Sequence, residues 1–282
     1  MNAAINHFGA RLVRAVAARG PLCVGIDPHP GLLADWGLSA DAAGLERFAR
    51  TAVEAVAGEV AVIKPQSAFF EAHGSAGIAV LERVIRQARA AGLLVLLDVK
   101  RGDIGSTMAA YAAAYLADDG PLAADAVTLS PYLGFGSLTP ALDLAAATGR
   151  GVFVLALTSN PEGAAVQRAN GDRGRSVAQS VVDGAAERNA GIRPMGGVGV
   201  VIGATVGRTG LDLDHLNGPV LAPGFGSQGG TVADLRAMFG PALAGVLPSS
   251  SRDLLRHGPD QRLLRDAVRR VRDVIIAPAA TR

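Results

Sequence analysis

Eight short apolar runs recur along this chain, separated by longer stretches of helical character, and this alternation constrains the fold more than any other feature. The runs are LCVGID (22–27), VAVIK (60–64), LLVLLDVK (93–100), DAVTLS (125–130), VFVLALTS (152–159), GVGVVIG (197–203), VLAPG (220–224) and AGVLPS (244–249). Helical patterns fall at 41–57, 75–91, 138–148, 176–190, 231–238 and 260–276. Strands that are apolar on both faces and alternate with helices imply a parallel sheet with right-handed crossovers. Eight such units in about 250 residues suit a closed barrel. An open doubly wound sheet gives a similar pattern, but the first run leads into GIDPHPG and not into G-x-G-x-x-G, which favours the barrel.

The expected fold is therefore α/β, a single (β/α)8 TIM barrel over residues 1–282, with no composition break to mark a second domain. It carries an extra N-terminal helix, because Ile5, Phe8, Leu12 and Val16 fall at helical spacing. The chain is 49% hydrophobic, enough for a sizeable core. Its net charge is +2, and its Lys and Arg residues are dispersed, with no basic run interleaved with aromatics. That composition argues against nucleic acid and for a small anionic ligand. No window approaches 18 uninterrupted apolar residues, so no membrane span is expected. The single cysteine, Cys23, cannot form an internal disulfide and points to a reducing, cytoplasmic compartment.

Barrels of this kind carry their reactive groups at the C-terminal ends of the strands. Strand side chains alternate, so Leu94, Leu96, Asp98 and Lys100 share one face while Leu93, Val95, Leu97 and Val99 share the other. If the all-apolar face packs on helices, the two charges point into the barrel mouth. Val60, Val62 and Lys64 repeat the arrangement in the second strand, and Cys23, Gly25 and Asp27 in the first. A single charge at a strand end is most often just where the chain meets water; four in matching phase on adjacent strands ask for another reason. Alternating carboxylates and ammoniums hold one another ionised, which argues against a Schiff-base lysine and against a divalent metal. What remains is a protonated lysine beside a fixed anion, a pair that destabilises a bound carboxylate and supplies a proton where it leaves.

A phosphate site is legible further on. APGFGSQGGT (222–231) follows the seventh strand, and its glycines let backbone N–H groups approach an anion at the start of the next helix, with Gln228 as a side-chain donor. PSSSRDLLR follows the eighth strand and offers Arg252. Loops after strands seven and eight are the usual phosphate site of this barrel. The segment 160–172, rich in Gly, Pro and Asn, is the longest irregular stretch and a candidate lid.

The pattern D-x-K-x-x-D in DVKRGDI, with IKPQ upstream and PGFGSQGG downstream, resembles the orotidine 5'-phosphate decarboxylase family, and the likeness runs from GIDP to SSSR. The resemblance implies conversion of orotidine 5'-phosphate to UMP and carbon dioxide, with neither cofactor nor metal, on a homodimer. It implies a charge tetrad of Lys64, Asp98, Lys100 and Asp103, the last reaching across from the other subunit, with Lys100 as proton donor to C6. Asp98 would crowd the substrate carboxylate, and Asp27 and Lys64 would hold ribose hydroxyls. Ile104 and Thr107 would line the neighbouring subunit's site. The pyrimidine-binding serine falls at Ser159, with Thr158 as the alternative. Gln228 and Arg252 would receive the phosphate, with Pro223, Gly224 and Gly229 also binding the substrate, although Arg252 does not sit as close to a glycine at the end of the eighth strand as the family's arginine does.

Two other readings stand beside this one. A phosphosugar decarboxylase such as 3-keto-L-gulonate 6-phosphate decarboxylase shares the D-x-K-x-x-D strand but uses magnesium and an acidic residue where this chain has Lys64. A barrel that binds a nucleotide or phosphosugar without catalysis is the other.

Overall fold

The computed structural model describes residues 7–171, 174–241 and 243–278. All eight apolar runs form strands: β1 Cys23–Ile26, β2 Val62–Pro65, β3 Leu94–Arg101, β4 Ala126–Leu129, β5 Gly151–Leu157, β6 Val198–Ile202, β7 Val220–Pro223 and β8 Val246–Ser250. They close into a barrel in chain order. Cys23 pairs with Val62 on one side and with Ser249 on the other, so β1 seals the ring in parallel register.

The helices are α1 Phe8–Arg19, α2 Pro30–Asp35, α3 Ala42–Val56, α4 Ser67–Glu71, α5 Gly74–Ala90, α6 Gly105–Leu116, α7 Thr139–Ala147, α8 Ala164–Gln167, α9 Val177–Asn189, α10 Val232–Phe239, α11 Arg252–Leu255 and α12 Gln261–Ile276. The helix α6 lies outside the patterns read from the sequence. It forms because alanine favours helix and because Met108, Ala112, Tyr115 and Leu116 repeat on one buried face. The stretch expected to be irregular after β5 instead carries a turn of 3₁₀ helix over Pro161–Gly163 and the short α8. Its last residue, Asp172, lies outside the described residues.

Strand alternation sorts the core as expected. Cys23, Val62, Leu94, Leu96, Phe153, Val201, Leu221 and Leu247 fill the barrel interior. Val24, Ile63, Leu93, Val95, Leu97 and Val99 pack outward on the helices. One position departs from the phase: Val60 joins the outer cluster, because β2 begins only at Val62 and the alternation does not extend before it.

The extra N-terminal helix is present as α1, and Ile5, expected on its apolar face, lies outside the described residues. Phe8 and Leu12 of α1 plug the N-terminal end of the barrel, Phe8 meeting Phe153 edge-on with ring centroids 5.9 Å apart. Full burial of such a side chain stabilises by roughly 2 kcal/mol. A Cβ at residue 151 would lie 2.4 Å from the Phe8 ring, so only Gly151 lets the helix dock. Arg11 pairs with Asp125, whose other oxygen accepts the Val95 N–H at 3.0 Å. With that end closed, the C-terminal ends of the strands form the open mouth.

Candidate active site

At the mouth, Asp98 is the centre of a charge network. Lys64 Nζ lies 3.2 Å from Asp98 Oδ2 and 3.8 Å from Asp27 Oδ1, and Lys100 Nζ lies 2.6 Å from Asp98 Oδ1. Burial pushes the Asp98 carboxyl up, but the two ammoniums, with hydrogen bonds from Lys100 and Thr128, outweigh it and hold the carboxyl down at about 2. Burial likewise pushes Lys64 down, and Asp27 and Asp98 overcome it, so its pKa is raised and it stays protonated. Beneath them burial pushes the Cys23 thiol up to about 12, leaving it neutral and unreactive.

Lys100 reaches this network by a route that alternation alone does not describe. Its φ is +47°, in the left-handed region where a non-glycine residue is strained by about 1 kcal/mol. The β3–β4 register also shifts there: Leu97 pairs with Val127 and Arg101 with Leu129, so β3 holds two extra residues. Four non-local hydrogen bonds support the bulge. Thr128 Oγ1 accepts the N–H groups of Val99 and Lys100 at 3.0 and 2.9 Å and donates to Asp98 Oδ1 at 2.7 Å. Ser130 N–H bonds Arg101 O at 2.8 Å, and a Cβ at residue 102 would lie 2.3 Å from Ser130 O, so Gly102 allows the turn to pack there. Arg101 turns away from the mouth onto Glu71 at 2.6 Å.

Gln66 and Thr128 belong to the site and were not singled out from the sequence. With its amide nitrogen toward Asp98, Gln66 donates to Asp98 O at 3.2 Å and to Oδ2 at 2.6 Å. Gln66 directly follows IKP, so its place after the lysine strand was the available signal. A threonine within a β-run offers none.

Beside the network opens a cavity of about 490 Å³ lined by Asp98, Lys100, Thr128, Thr158, Ser159, Asn160, Gln167, Pro223 and Gln228 among others. The Thr158 hydroxyl is engaged, donating to Asn160 Oδ1 at 2.6 Å and accepting from Gln167 at 2.8 Å. The Ser159 hydroxyl makes no hydrogen bond among the described residues. Gly224, at φ +93°, would place a Cβ 2.8 Å from Gln228 Oε1, so its bare backbone lets Gln228 turn over the cavity. Gly229 stands in the same loop at φ +90°. A larger cavity of about 880 Å³ lies at the opposite end, between α1 and α12, away from this chemistry.

Other expected positions lie apart. The start of α10 is closed by its own cap, with Thr231 Oγ1 accepting the Asp234 N–H at 3.1 Å and Asp234 Oδ2 accepting the Thr231 N–H at 2.9 Å. Two of the backbone N–H groups at that helix start, those of Thr231 and Asp234, are thus already engaged within the chain. Arg252 is exposed at the start of α11, outside the cavity lining, and its side chain makes no hydrogen bond or ion pair among the described residues. Asp103, Ile104 and Thr107 lie at the start of α6, also outside the lining, and Ile104 is 62% exposed. Asp103 accepts only the Ile104 N–H at 2.8 Å and has no ion pair among the described residues. No helix among the described residues is long and apolar enough to cross a membrane.

Comparison with known proteins agrees with this geometry. The family model described as orotidine 5'-phosphate decarboxylase / HUMPS family matches residues 20–258. A curated orotidine 5'-phosphate decarboxylase from Salinispora arenicola is 67% identical, with 95% of this chain and 96% of that protein covered. One from Streptomyces coelicolor is 61% identical, with 94% and 96% covered. A Streptomyces avermitilis crystal structure bearing the same enzyme name superposes with a TM-score of 0.93 at 61% identity, with 95% and 94% covered. Leishmania donovani OMP decarboxylase superposes with a TM-score of 0.74 at 31% identity, with 95% and 98% covered. A closed eight-stranded barrel with lysines and carboxylates alternating at its mouth, matched over this length, places the chain in the orotidine 5'-phosphate decarboxylase / HUMPS family.

Proposed function

We propose that this protein decarboxylates orotidine 5'-phosphate to UMP in de novo pyrimidine biosynthesis, as a homodimer with shared active sites and with no metal or cofactor in the reaction. The observation that carries the reading is the Lys64–Asp98–Lys100 network at the edge of the cavity, with Asp98 held anionic. The substrate carboxylate is set against Asp98 and within reach of Lys100. The bond from C6 to the carboxyl carbon breaks, carbon dioxide leaves, and the electron pair left on C6 takes a proton from Lys100 Nζ. Solvent then reprotonates the lysine.

Charge repulsion supplies only part of the acceleration. Two carboxylates about 4 Å apart at an effective dielectric constant near 20 repel by about 4 kcal/mol, roughly three powers of ten in rate. Binding energy from the phosphate, used to order the loops over the base, supplies the natural supplement. In this reading Gln228 and Arg252, with the glycine loop of Gly224 and Gly229, hold the phosphate, and Pro223 lines the substrate cavity. Asp27 and Lys64 hold the ribose; the buried Asp27 Oδ1, which has no hydrogen-bond partner among the described residues, supports an incoming hydroxyl there. Ser159 takes the pyrimidine, supported by its unengaged hydroxyl beside the engaged Thr158.

The partner subunit supplies Asp103, Ile104 and Thr107. Supporting this are the Asp103 carboxylate, without an ion pair among the described residues, and the exposure of Ile104, Tyr132 and Leu133, apolar side chains that a subunit interface would cover. Against the magnesium-dependent rival stands Lys64, an ammonium between two carboxylates where that reading asks for an acid. Following the loss of pyrimidine absorbance with orotidine 5'-phosphate in EDTA tests the reading. Metal-independent turnover is expected, and no turnover would leave a phosphosugar enzyme or a silent binding barrel.

A further inference from the structure

We infer that Thr128 is the positioning residue that aims Lys100 and Asp98 at each other, by replacing the strand ladder at the bulge in β3. The inference rests on the decarboxylase reading for its assay and on geometry for its argument.

Between Leu97 and Arg101 the β3 backbone leaves the register of β4. The N–H groups of Val99 and Lys100 fall inside this interval, where an unpaired buried donor would cost about 1–3 kcal/mol. Both are taken by one atom, Thr128 Oγ1, at 3.0 and 2.9 Å. The side chain is 1% exposed, so water does not compete. A hydroxyl has two lone pairs and one proton. With both lone pairs facing N–H donors, the proton is left for Asp98 Oδ1, 2.7 Å away. The backbone therefore dictates the direction of the hydroxyl, and the hydroxyl dictates which way the carboxylate faces.

This single oxygen holds both ends of the reacting pair. Through the Lys100 N–H it braces the left-handed backbone that turns the lysine over the mouth. Through Oδ1 it holds the same carboxylate oxygen that Lys100 Nζ meets at 2.6 Å. The β-branched stem of threonine, on a strand, limits its χ1 and keeps the oxygen there. Serine keeps the hydroxyl but loses that restriction. Valine keeps the shape and loses the oxygen.

The test compares Thr128→Val and Thr128→Ser with the unaltered protein, reading kcat and KM with orotidine 5'-phosphate and Kd for UMP. A misplacement of about 1 Å at a reacting group costs about 100-fold. The valine variant is expected to lose about 100-fold in kcat with KM and the UMP Kd within threefold, and serine to recover at least half of that loss on a logarithmic scale. Should valine not fold by circular dichroism, Thr128→Cys puts a poor acceptor in place of the oxygen, without the methyl group, and at least a tenfold fall in kcat is expected. A kcat within threefold of native in the valine variant, or within twofold in the cysteine variant if valine does not fold, overturns the role. So does an equal collapse of kcat and UMP binding that serine fails to rescue. No turnover by the unaltered protein overturns the decarboxylase reading and this inference with it. Native turnover with an unaffected Thr128→Val overturns this inference alone.

Discussion

Replacing Asp98 by asparagine keeps the shape of the side chain and removes the anion between two lysines. Asp98 is 8% exposed and its partners are 3.2 and 2.6 Å away. Breaking a buried ion pair from one side costs about 3–5 kcal/mol, and the low end applies here because Lys64 keeps Asp27 at 3.8 Å. We expect about 3 kcal/mol at pH 7, or a Tm lower by roughly 5–10 °C. Part of that difference depends on pH. The carboxyl is lowered from 3.8 to about 2 in the folded protein, which corresponds to about 2 kcal/mol. Because the folded pKa is depressed, this stability is fully present above the unfolded pKa and is lost as pH falls toward the folded one, with about half gone by pH 3. Urea unfolding of native and Asp98→Asn protein at pH 7, 5 and 3, at one protein concentration, should therefore show a gap that narrows by about 1 kcal/mol at pH 3. A gap constant from pH 7 to 3 would refute the argument that the lysines hold Asp98 ionised.

Three further outcomes follow from the proposed roles. Lys100→Ala should abolish decarboxylation while UMP binds within about tenfold of native, because UMP lacks the carboxylate on which the lysine acts; robust turnover removes Lys100 as proton donor. Gln228→Ala and Arg252→Ala should lower kcat/KM for orotidine 5'-phosphate far more than for orotidine, and equal losses on both would mean that the phosphate sits elsewhere. Lys100→Ala and Asp103→Ala subunits, each nearly inactive, should regain about a quarter of native activity on mixing, since about half the dimers are mixed and each then holds one intact site. No recovery despite demonstrated subunit exchange places Asp103 in its own subunit's site or outside the chemistry.

The sequence by itself determined the eight strands, the closed barrel they imply, and the inward phase of Asp98 and Lys64, because these follow from a local period of two in side-chain direction and from the apolar runs themselves. It also placed charge at the strand ends, where chemistry in such barrels belongs. The family likeness carried the roles of residues that periodicity cannot reach, Asp103 and Ser159 among them. The tertiary structure alone decided how Lys100 arrives at Asp98. The bulge arises from the mismatch between two strands, and its brace, Thr128, stands 28 residues from the lysine it holds. Nothing near Thr128 in the chain distinguishes it from a threonine chosen for strand propensity. Its role exists only once β3 and β4 lie side by side, since an unpaired N–H has a cost only where neighbouring strands have excluded water.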